Sequence, residues 1–329
     1  ELHECLMAKN VTGFWKSWNS KVNKRSYKLP TTVDNIADHQ VVADLFGSFF
    51  SENCSPSSNA ISAKAQYLHN LTNDHCDSME SYSSITVELL DKIISEMKRG
   101  LASDIHGISI EHIQFAHPVI ILLLVKLFNC MLTYGIVPED FGQGLSIPIP
   151  KTGHMQASML KEEFRGITIS PTISKIFEKC VLSLFPHYFD ISEYQFGFKK
   201  GFSCSHAIFC IKQVTDYYSR GGSTVNICSL DITKAFDKLN FYCLLDKLLE
   251  RGLPMQLLNI LHSWFICTVV TVKWGQCFSK CFILRAGVRQ GGVLSPYLFG
   301  IYVDKLLQTL HSSGYGCVIK GIVCNAFMY

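Results

Sequence analysis

The amino-acid sequence predicts an α+β fold. Two observations carry that expectation. Helical and extended patterns mix along the chain without a βαβ rhythm. Hydrophobic residues make up 48% of the 329 positions and charged residues 17%, a balance that buries a large core and excludes a disordered chain.

The elements follow in order. Residues 1–29 read as a basic helical segment ended by Pro30. Lys9, Lys16, Lys21, Lys24, Arg25 and Lys28 outnumber Glu1 and Glu4 there, with Phe14, Trp15, Trp18 and Tyr27 interleaved. That mixture suits phosphates and bases, and it equally suits a solvated helix face. A second apolar-periodic helix is expected from Ala37 to Phe50. The Ser- and Asn-rich stretch from Ser51 to Ser84 reads as a long connection or flexible insert. Helix resumes from Val87 to Lys98 and stops at Gly100.

Residues 118–134 read as a strongly apolar helix between Pro118 and Gly135. Its run Val119 to Val125 is far short of the ~20 residues of a membrane span and reads as buried. "LSIPIPK" and "FRGITIS" are two short strands, a hairpin with a charged tip from Thr152 to Glu163. Ser174 to Phe185 is helical, "QFGFKKGFSC" is a glycine-punctuated loop, and His206 to Tyr218 is a helix. "VNICSLDI" is apolar or β-branched on both faces and reads as a buried central strand. Leu244, Leu245, Leu248 and Leu249 mark one face of a helix stopped by Gly252 and Pro254. "TVVTVKW" and "KCFILRA" are strands around Gly275-Gln276. Ser295-Pro296 starts a helix through Leu310. "CVIKGIVCNAFMY" reads as a strand, a Lys320-Gly321 turn and a second strand.

The net charge of +3 announces no particular partner. Fourteen cysteines include no Cys-x-x-Cys pair, so a zinc site is not indicated. With no apolar signal segment in "ELHECLMAKN", reduced structural cysteines in an intracellular protein, nuclear or cytoplasmic, are expected.

Two stretches carry chemistry. Asp231 ends the "VNICSLDI" run, and a carboxylate there is costly unless paired, hydrogen-bonded or bound to metal. With a backbone carbonyl beside it, such an Asp holds Mg²⁺; it also serves as a turn or cap residue. In "AGVRQGGVLSP" two adjacent glycines between a strand and a capped helix permit close backbone approach to a ligand, or form an ordinary turn.

Taken together, the motifs from about residue 100 onwards resemble the reverse transcriptases of non-LTR (LINE-type) retrotransposons. "HGISIEHI" is similar to that family's D-G-I-x-x-E segment, with His106 in place of Asp. "LFNCMLTYGIVPEDF", "IPIPKTG", "FRGITISPTISKIFEKC" and "QFGFKKGFSCSHAI" resemble its next four segments. "SLDITKAFDKL" resembles motif A, and "GVRQGGVLSPYLFGIYVDKLL" resembles motif B. Seven segments in the right order make a specific signal. The "AFMY" at the end looks like the strand before motif C, so the chain is expected to stop before that motif's Asp pair.

The resemblance implies a right-hand polymerase fold: an N-terminal basic, helical region over 1–100, fingers over 101–224 and an incomplete palm over 225–329. It implies two-metal Mg²⁺ chemistry with an RNA template, a DNA primer and deoxynucleoside triphosphates, and no membrane. On this analogy Asp231 is the catalytic metal ligand and the Ile232 carbonyl a further metal contact. Lys151 and Arg165 grip the triphosphate, Phe236 lies under the sugar and excludes a 2′-OH, and Gln290 and Gly291 meet the nucleotide. Lys199 and Arg289 contact nucleic acid. Asp237 is expected to cap the following helix or pair with a basic side chain, and Glu163 to place a negative charge near the phosphates. One carboxylate cannot hold two metals, so the chain as given is expected to be inactive. Two alternatives remain open: a non-enzymatic nucleic-acid-binding or structural remnant of a degenerate element, and an intron-encoded type of reverse transcriptase.

Overall fold

The computed structural model describes residues 29–56, 60–73, 84–152, 156–199, 201–232 and 234–329. The basic segment anticipated over 1–29 therefore lies almost wholly outside the described residues. The chain divides into two compact units, the smaller from residues 1–38 with 150–165 and the larger from 39–149 with 166–329.

In the smaller unit, β1 (Thr32–Val33) pairs in parallel with β3 (Ser158–Met159). Asp34 follows in the left-handed region, at φ +49. Its carboxylate accepts from the Lys161 backbone N–H at 3.0 Å and pairs with Lys161 Nζ at 3.4 Å.

In the larger unit, α1 (His39–Asn53) and α2 (Ala60–Asn73) come first. The second corrects the expected connection over Ser51 to Ser84. Its apolar stripe is thin, but Ala63 and Tyr67 are buried, and Asn70 Nδ2 donates to Asp246 Oδ1 at 2.6 Å. The chain continues through α3 (Val87–Glu96), the short α4 (Ile110–Gln114) and α5 (Val119–Tyr134). Thr86 caps α3, accepting the Leu89 N–H. Gly135, at φ +68, closes α5. The helix over 118–134 forms as anticipated, but it is not buried all round. Leu124, Phe128 and Met131 face the core, while Val119, Leu122 and Leu123 are about half exposed.

Strands β2 (Gln143–Pro150) and β4 (Phe164–Ile169) lead to α6 (Thr172–Leu184) and α7 (Cys204–Arg220). Then come α8 (Phe241–Glu250) and α9 (Met255–Ile266), the latter not anticipated. Strands β5 (Val269–Trp274), β6 (Cys277–Phe278) and β7 (Phe282–Ile283) precede α10 (Ser295–Ser312). The hairpin β8 (Val318–Ile319) and β9 (Ile322–Val323) follows, turning through Lys320 and Gly321, both at positive φ.

The sheet runs β4-β2-β5-β6, with β7 also on β5. β2 and β5 are parallel, Gln143 opposite Val269, which needs the long helical crossover between them. Helix α1 packs on β5, with Phe46 and Trp274 ring centroids 5.2 Å apart. The main core gathers the inner faces of α3, α5, α6, α8, α9 and α10. Mixed helices and sheet without alternation make the fold α+β.

One expected element is absent. The "VNICSLDI" run, residues 225–232, is neither strand nor buried. Leu230 is 85% exposed and Ile227 61%. Apolar composition suits a central strand, but a strand needs neighbours to take its backbone hydrogen bonds, and none of the described strands pairs with this one.

Candidate functional site

The site is built from three loops of the larger unit that come together beside α10. The first is the turn after Asp231. Lys234 takes a left-handed conformation, φ +55, and its carbonyl accepts from the N–H groups of Asp237 and Lys238, both at 3.0 Å. Its Nζ donates to Asn53 Oδ1 at 2.6 Å. The turn ends at Asn240, whose side chain accepts from Tyr242 and Cys243 N–H and so caps α8. Asp237, expected to cap the helix or pair with a basic side chain, leaves the cap to Asn240; its Oδ1 accepts from Gln290 Nε2 at 3.5 Å.

The second loop is the glycine-containing bend 287–294. It is stitched to the first by backbone. Gly287 N–H donates to Leu239 O at 2.7 Å, and Val288 N–H donates to Phe236 O at 2.8 Å. On the other side the Gln290 carbonyl accepts from Thr168 N–H in β4 at 2.8 Å. Gly291 has φ +133, and a Cβ there would overlap Thr168 O. The bend is therefore gripped between a turn and a sheet edge, and glycine is required where it touches both.

The third loop carries Phe198 and Lys199. Phe198 is at φ +58 and meets Phe236 edge-on, with centroids 5.6 Å apart. The other face of Phe236 stacks on Phe299 of α10 at 5.0 Å. Lys199 Nζ lies 5.3 Å from the Phe202 ring centroid, a cation–π geometry that leaves the ammonium reachable by solvent.

The anticipated residues thus fall into groups. Phe236, Gln290 and Gly291 share one junction, and the Lys199 loop reaches it through Phe198. Arg289 belongs to the bend but turns inwards: its Nη1 donates to Phe141 O at 3.1 Å, and its guanidinium lies over the Trp264 ring. Burial lowers its pKa from the ordinary guanidinium value, and the nearby Glu178 carboxylate opposes that effect. Asp231 and Ile232 are exposed, at the end of the unpaired run. In the smaller unit, Lys151 and Arg165 are both exposed, and the Lys151 N–H donates to Glu163 O at 2.8 Å. The Glu163 carboxylate, expected near phosphates, is engaged locally, accepting the Leu160 N–H at 2.6 Å.

Among the described residues no group of three His, Cys, Asp or Glu side chains is placed to hold a metal ion. Asp231 and the Ile232 carbonyl supply donors of the right, oxygen kind but do not make a site by themselves. The twelve described cysteines are all free. Burial pushes the Cys54 and Cys180 thiols up to about 12 each, so neither is a nucleophile.

Two residues given no role from sequence matter to the geometry. Glu178, on α6, is 2% exposed and accepts the Leu294 N–H at 2.6 Å. Its place among Ile176, Phe177, Cys180 and Val181 was the available signal, a carboxylate amid core residues. Asp104 is 5% exposed and takes three backbone N–H groups, of His106, Ile108 and Thr172, at 2.7–3.0 Å. It organises the loop in which His106 departs from the expected Asp.

Residues 149–328 match the family model described as reverse transcriptase (RNA-dependent DNA polymerase). Curated relatives agree. The chain is 24% identical over 204 residues to the retrovirus-related Pol polyprotein from type-2 retrotransposable element R2DM of Drosophila melanogaster, covering 62% of this chain and 19% of that protein. It is 27% identical over 194 residues to the probable RNA-directed DNA polymerase from transposon X-element of the same species, covering 57% and 21%. To the RNA-directed DNA polymerase from mobile element jockey of Drosophila funebris it is 24% identical over 222 residues, covering 66% and 24%. The chain spans about a fifth of the length of these relatives.

Proposed function

The chain belongs to the reverse transcriptase (RNA-dependent DNA polymerase) family, with relatives among the non-LTR retrotransposon enzymes, and from that premise we propose that it forms fingers and part of the palm of a right-hand polymerase that copies an RNA template from a DNA primer. The observation that carries the reading is the junction of the 234–239 turn with the 287–291 bend. Val288 to Phe236, Gly287 to Leu239 and Gln290 to Asp237 are joined by hydrogen bonds, and these two loops are the segments that resemble motifs A and B.

In this proposal the Phe236 ring, clamped by Phe198 and Phe299, lies where an incoming sugar would rest and selects a deoxynucleotide by crowding a 2′-OH. Gln290 and Gly291 present a side-chain amide and an exposed backbone to the nucleotide. Lys151 and Arg165 hold the triphosphate through charge-assisted hydrogen bonds, and Lys199 meets nucleic-acid phosphate as a point charge. Arg289, assigned to nucleic acid from sequence, is reassigned to holding the bend, because Nη1 donates inwards to Phe141 O and the guanidinium lies over Trp264. Asp231 supplies one carboxylate and Ile232 one carbonyl toward a divalent cation, which the family generally uses. The described residues do not complete that site.

A second reading, a non-enzymatic nucleic-acid-binding remnant, is favoured by that solitary, solvent-exposed Asp231. Primer extension decides between them. The protein is assayed together with any sequence encoded after Tyr329, with Asp231→Ala as control. Template-dependent incorporation of deoxynucleotides that Asp231→Ala abolishes supports the polymerase. Equal incorporation by the two proteins removes Asp231 from the site, and absence of incorporation with retained RNA binding supports the remnant.

A further inference from the structure

Among the buried titratable groups, Glu178 stands apart from every role assigned so far. It lies on the inner face of α6, 2% exposed. Its Oε2 accepts the Leu294 N–H at 2.6 Å, and the neighbouring Val293 backbone also favours the ionised carboxylate. That donor belongs to the last residue of the bend, where it passes into α10. A Cβ at Gly292 would lie 3.4 Å from the same oxygen, so the carboxylate packs directly under the backbone. The other oxygen, Oε1, is buried and has no hydrogen-bond partner within the protein. Beside it is a cavity of about 40 Å³, bordered by Glu178, Trp264, Thr268, Arg289 and Ser295. That is room for two or three waters at about 10–15 Å³ each. The Arg289 guanidinium is the cation near the carboxylate on this side, and Lys175 supports it from one turn earlier on α6.

We infer that Glu178 is a positioning residue for the Gln290–Gly291 bend, which it anchors from beneath through the Leu294 N–H and by packing under Gly292. The physical case is that the bend has two faces with opposite needs. Its outer face must leave Gln290 and the Gly291 backbone open to a ligand. Such a loop has few contacts of its own to hold it, so its geometry comes from beneath. Thr168 fixes the bend at Gln290, Arg289 is held by Phe141 O, and Glu178 fixes the exit. A buried carboxylate is costly to desolvate even with an N–H donor and a cation nearby. What it adds is a single geometry for the segment between Arg289 and Leu294. The inference rests on reading that bend as the nucleotide-facing segment; the anchoring itself does not.

The isosteric change Glu178→Gln separates the two. Its amide oxygen still accepts the Leu294 N–H, but the negative charge that offsets Arg289 is gone. Hydrogen–deuterium exchange on the whole chain is the first readout. Residues 288–294 are expected to exchange about tenfold faster in Glu178→Gln, the change expected when a charge-assisted hydrogen bond is weakened, while α8 and β5 keep their protection. Glu178→Asp, which keeps the charge, restores part of the difference. Unchanged exchange at 288–294, or a uniform rise across α8 and β5, overturns the inference. The second readout is steady-state incorporation in the protein assayed with any sequence encoded after Tyr329. There Glu178→Gln raises the KM for the nucleotide about tenfold and changes kcat much less; a fall in kcat at unchanged KM overturns the positioning role. If the wild-type protein incorporates nothing, the polymerase reading fails, and the exchange measurement still decides whether Glu178 anchors the bend.

Discussion

Gly287 lies so close against Phe236 that a Cβ built on the glycine would stand 2.5 Å from the Phe236 carbonyl oxygen and 2.7 Å from Asp237 Cα. Its φ of +86 is a conformation that L side chains rarely adopt. Two constraints therefore coincide at one residue. The close approach lets the neighbouring Val288 N–H reach Phe236 O at 2.8 Å, and the positive φ turns the chain from the end of the sheet into the bend. Gly287→Ala meets backbone atoms rather than the end of a flexible side chain, so nothing nearby yields cheaply. The expected loss is about 2–3 kcal/mol of stability, read as a shift in the midpoint of denaturant unfolding. A variant as stable as the parent would mean the two loops are not in this contact.

The buried carboxylate of Asp104 leads to a second expectation. Its oxygens take the N–H groups of His106, Ile108 and Thr172, and the last of these lies at the start of α6. Asp104→Ala leaves three buried or half-buried donors without an acceptor. The expected cost is about 3 kcal/mol. Asp104→Asn keeps the shape and one acceptor oxygen, and it is expected to lose about half as much. Loss of stability in the Asn variant equal to that in the Ala variant would argue that charge, not hydrogen bonding, holds the loop.

Much of this architecture was legible because strong periodicity and punctuation survive in the sequence. The apolar stripe Leu244, Leu245 and Leu248 is the buried face of α8, and Pro118 and Gly135 do bound α5. What failed did so for physical reasons. Helix α2 was missed because Ala63 and Tyr67 are nearly its whole buried stripe, too little to show as a pattern. Residues 225–232 have the composition of a core strand, but composition does not say whether a neighbour is present to accept the backbone. At the site, resemblance to motifs A and B singled out Phe236 and Gln290, which the fold brings to one junction. The inward turn of Arg289 and the burial of Glu178 depend on Phe141, Trp264 and Leu294, each distant in sequence from one or both, and no local pattern encodes that.

A pH expectation follows from His262 on α9. It is half-buried between Tyr67 and Tyr242, with ring centroids 6.3 and 6.1 Å away. Burial, with the positive charge of Lys64 on α2, holds its pKa below the ordinary imidazole value of 6.5. The unfolded chain therefore binds a proton more readily than the folded one. Stability from this group is fully present above pH about 6.5 and is lost as the pH falls through the lower folded-state value. His262→Phe, which suits the aromatic surroundings, is expected to flatten that part of the stability profile between about pH 7.5 and 5. An unchanged profile in the variant would place the acid sensitivity elsewhere.

Asn240 tests the turn from its far end. The side-chain oxygen accepts from Tyr242 N–H at 3.0 Å and Cys243 N–H at 3.2 Å, satisfying two of the donors that the first turn of α8 leaves open. Asn240→Ala is expected to cost about 1–2 kcal/mol, while Asn240→Asp keeps the cap and adds a charge that favours the helix N-terminus. Thermal unfolding should rank the parent and Asp variant together and the Ala variant below both. If Asn240→Ala were neutral and Asp237→Ala costly, the cap would belong to Asp237 after all.

The exposed run 225–232 carries the last expectation. Ile227, Leu230 and Ile232 are 61%, 85% and 45% exposed, and the backbone between them joins no strand among the described residues. An apolar, unpaired, exposed segment is a template for pairing with another chain. Its amides are expected to exchange within seconds, against strong protection in β5, whose alternate residues Val270, Val272 and Trp274 are buried. Self-association is expected to begin here, because one added strand would pair the backbone and cover Leu230 in a single step. Leu230→Lys, which puts a charge on the most exposed of the three, is expected to raise the soluble concentration severalfold at unchanged unfolding midpoint. Slow exchange over 225–232 in the monomer would show that the segment is paired in solution, and the reading of it as an open edge would have to be given up.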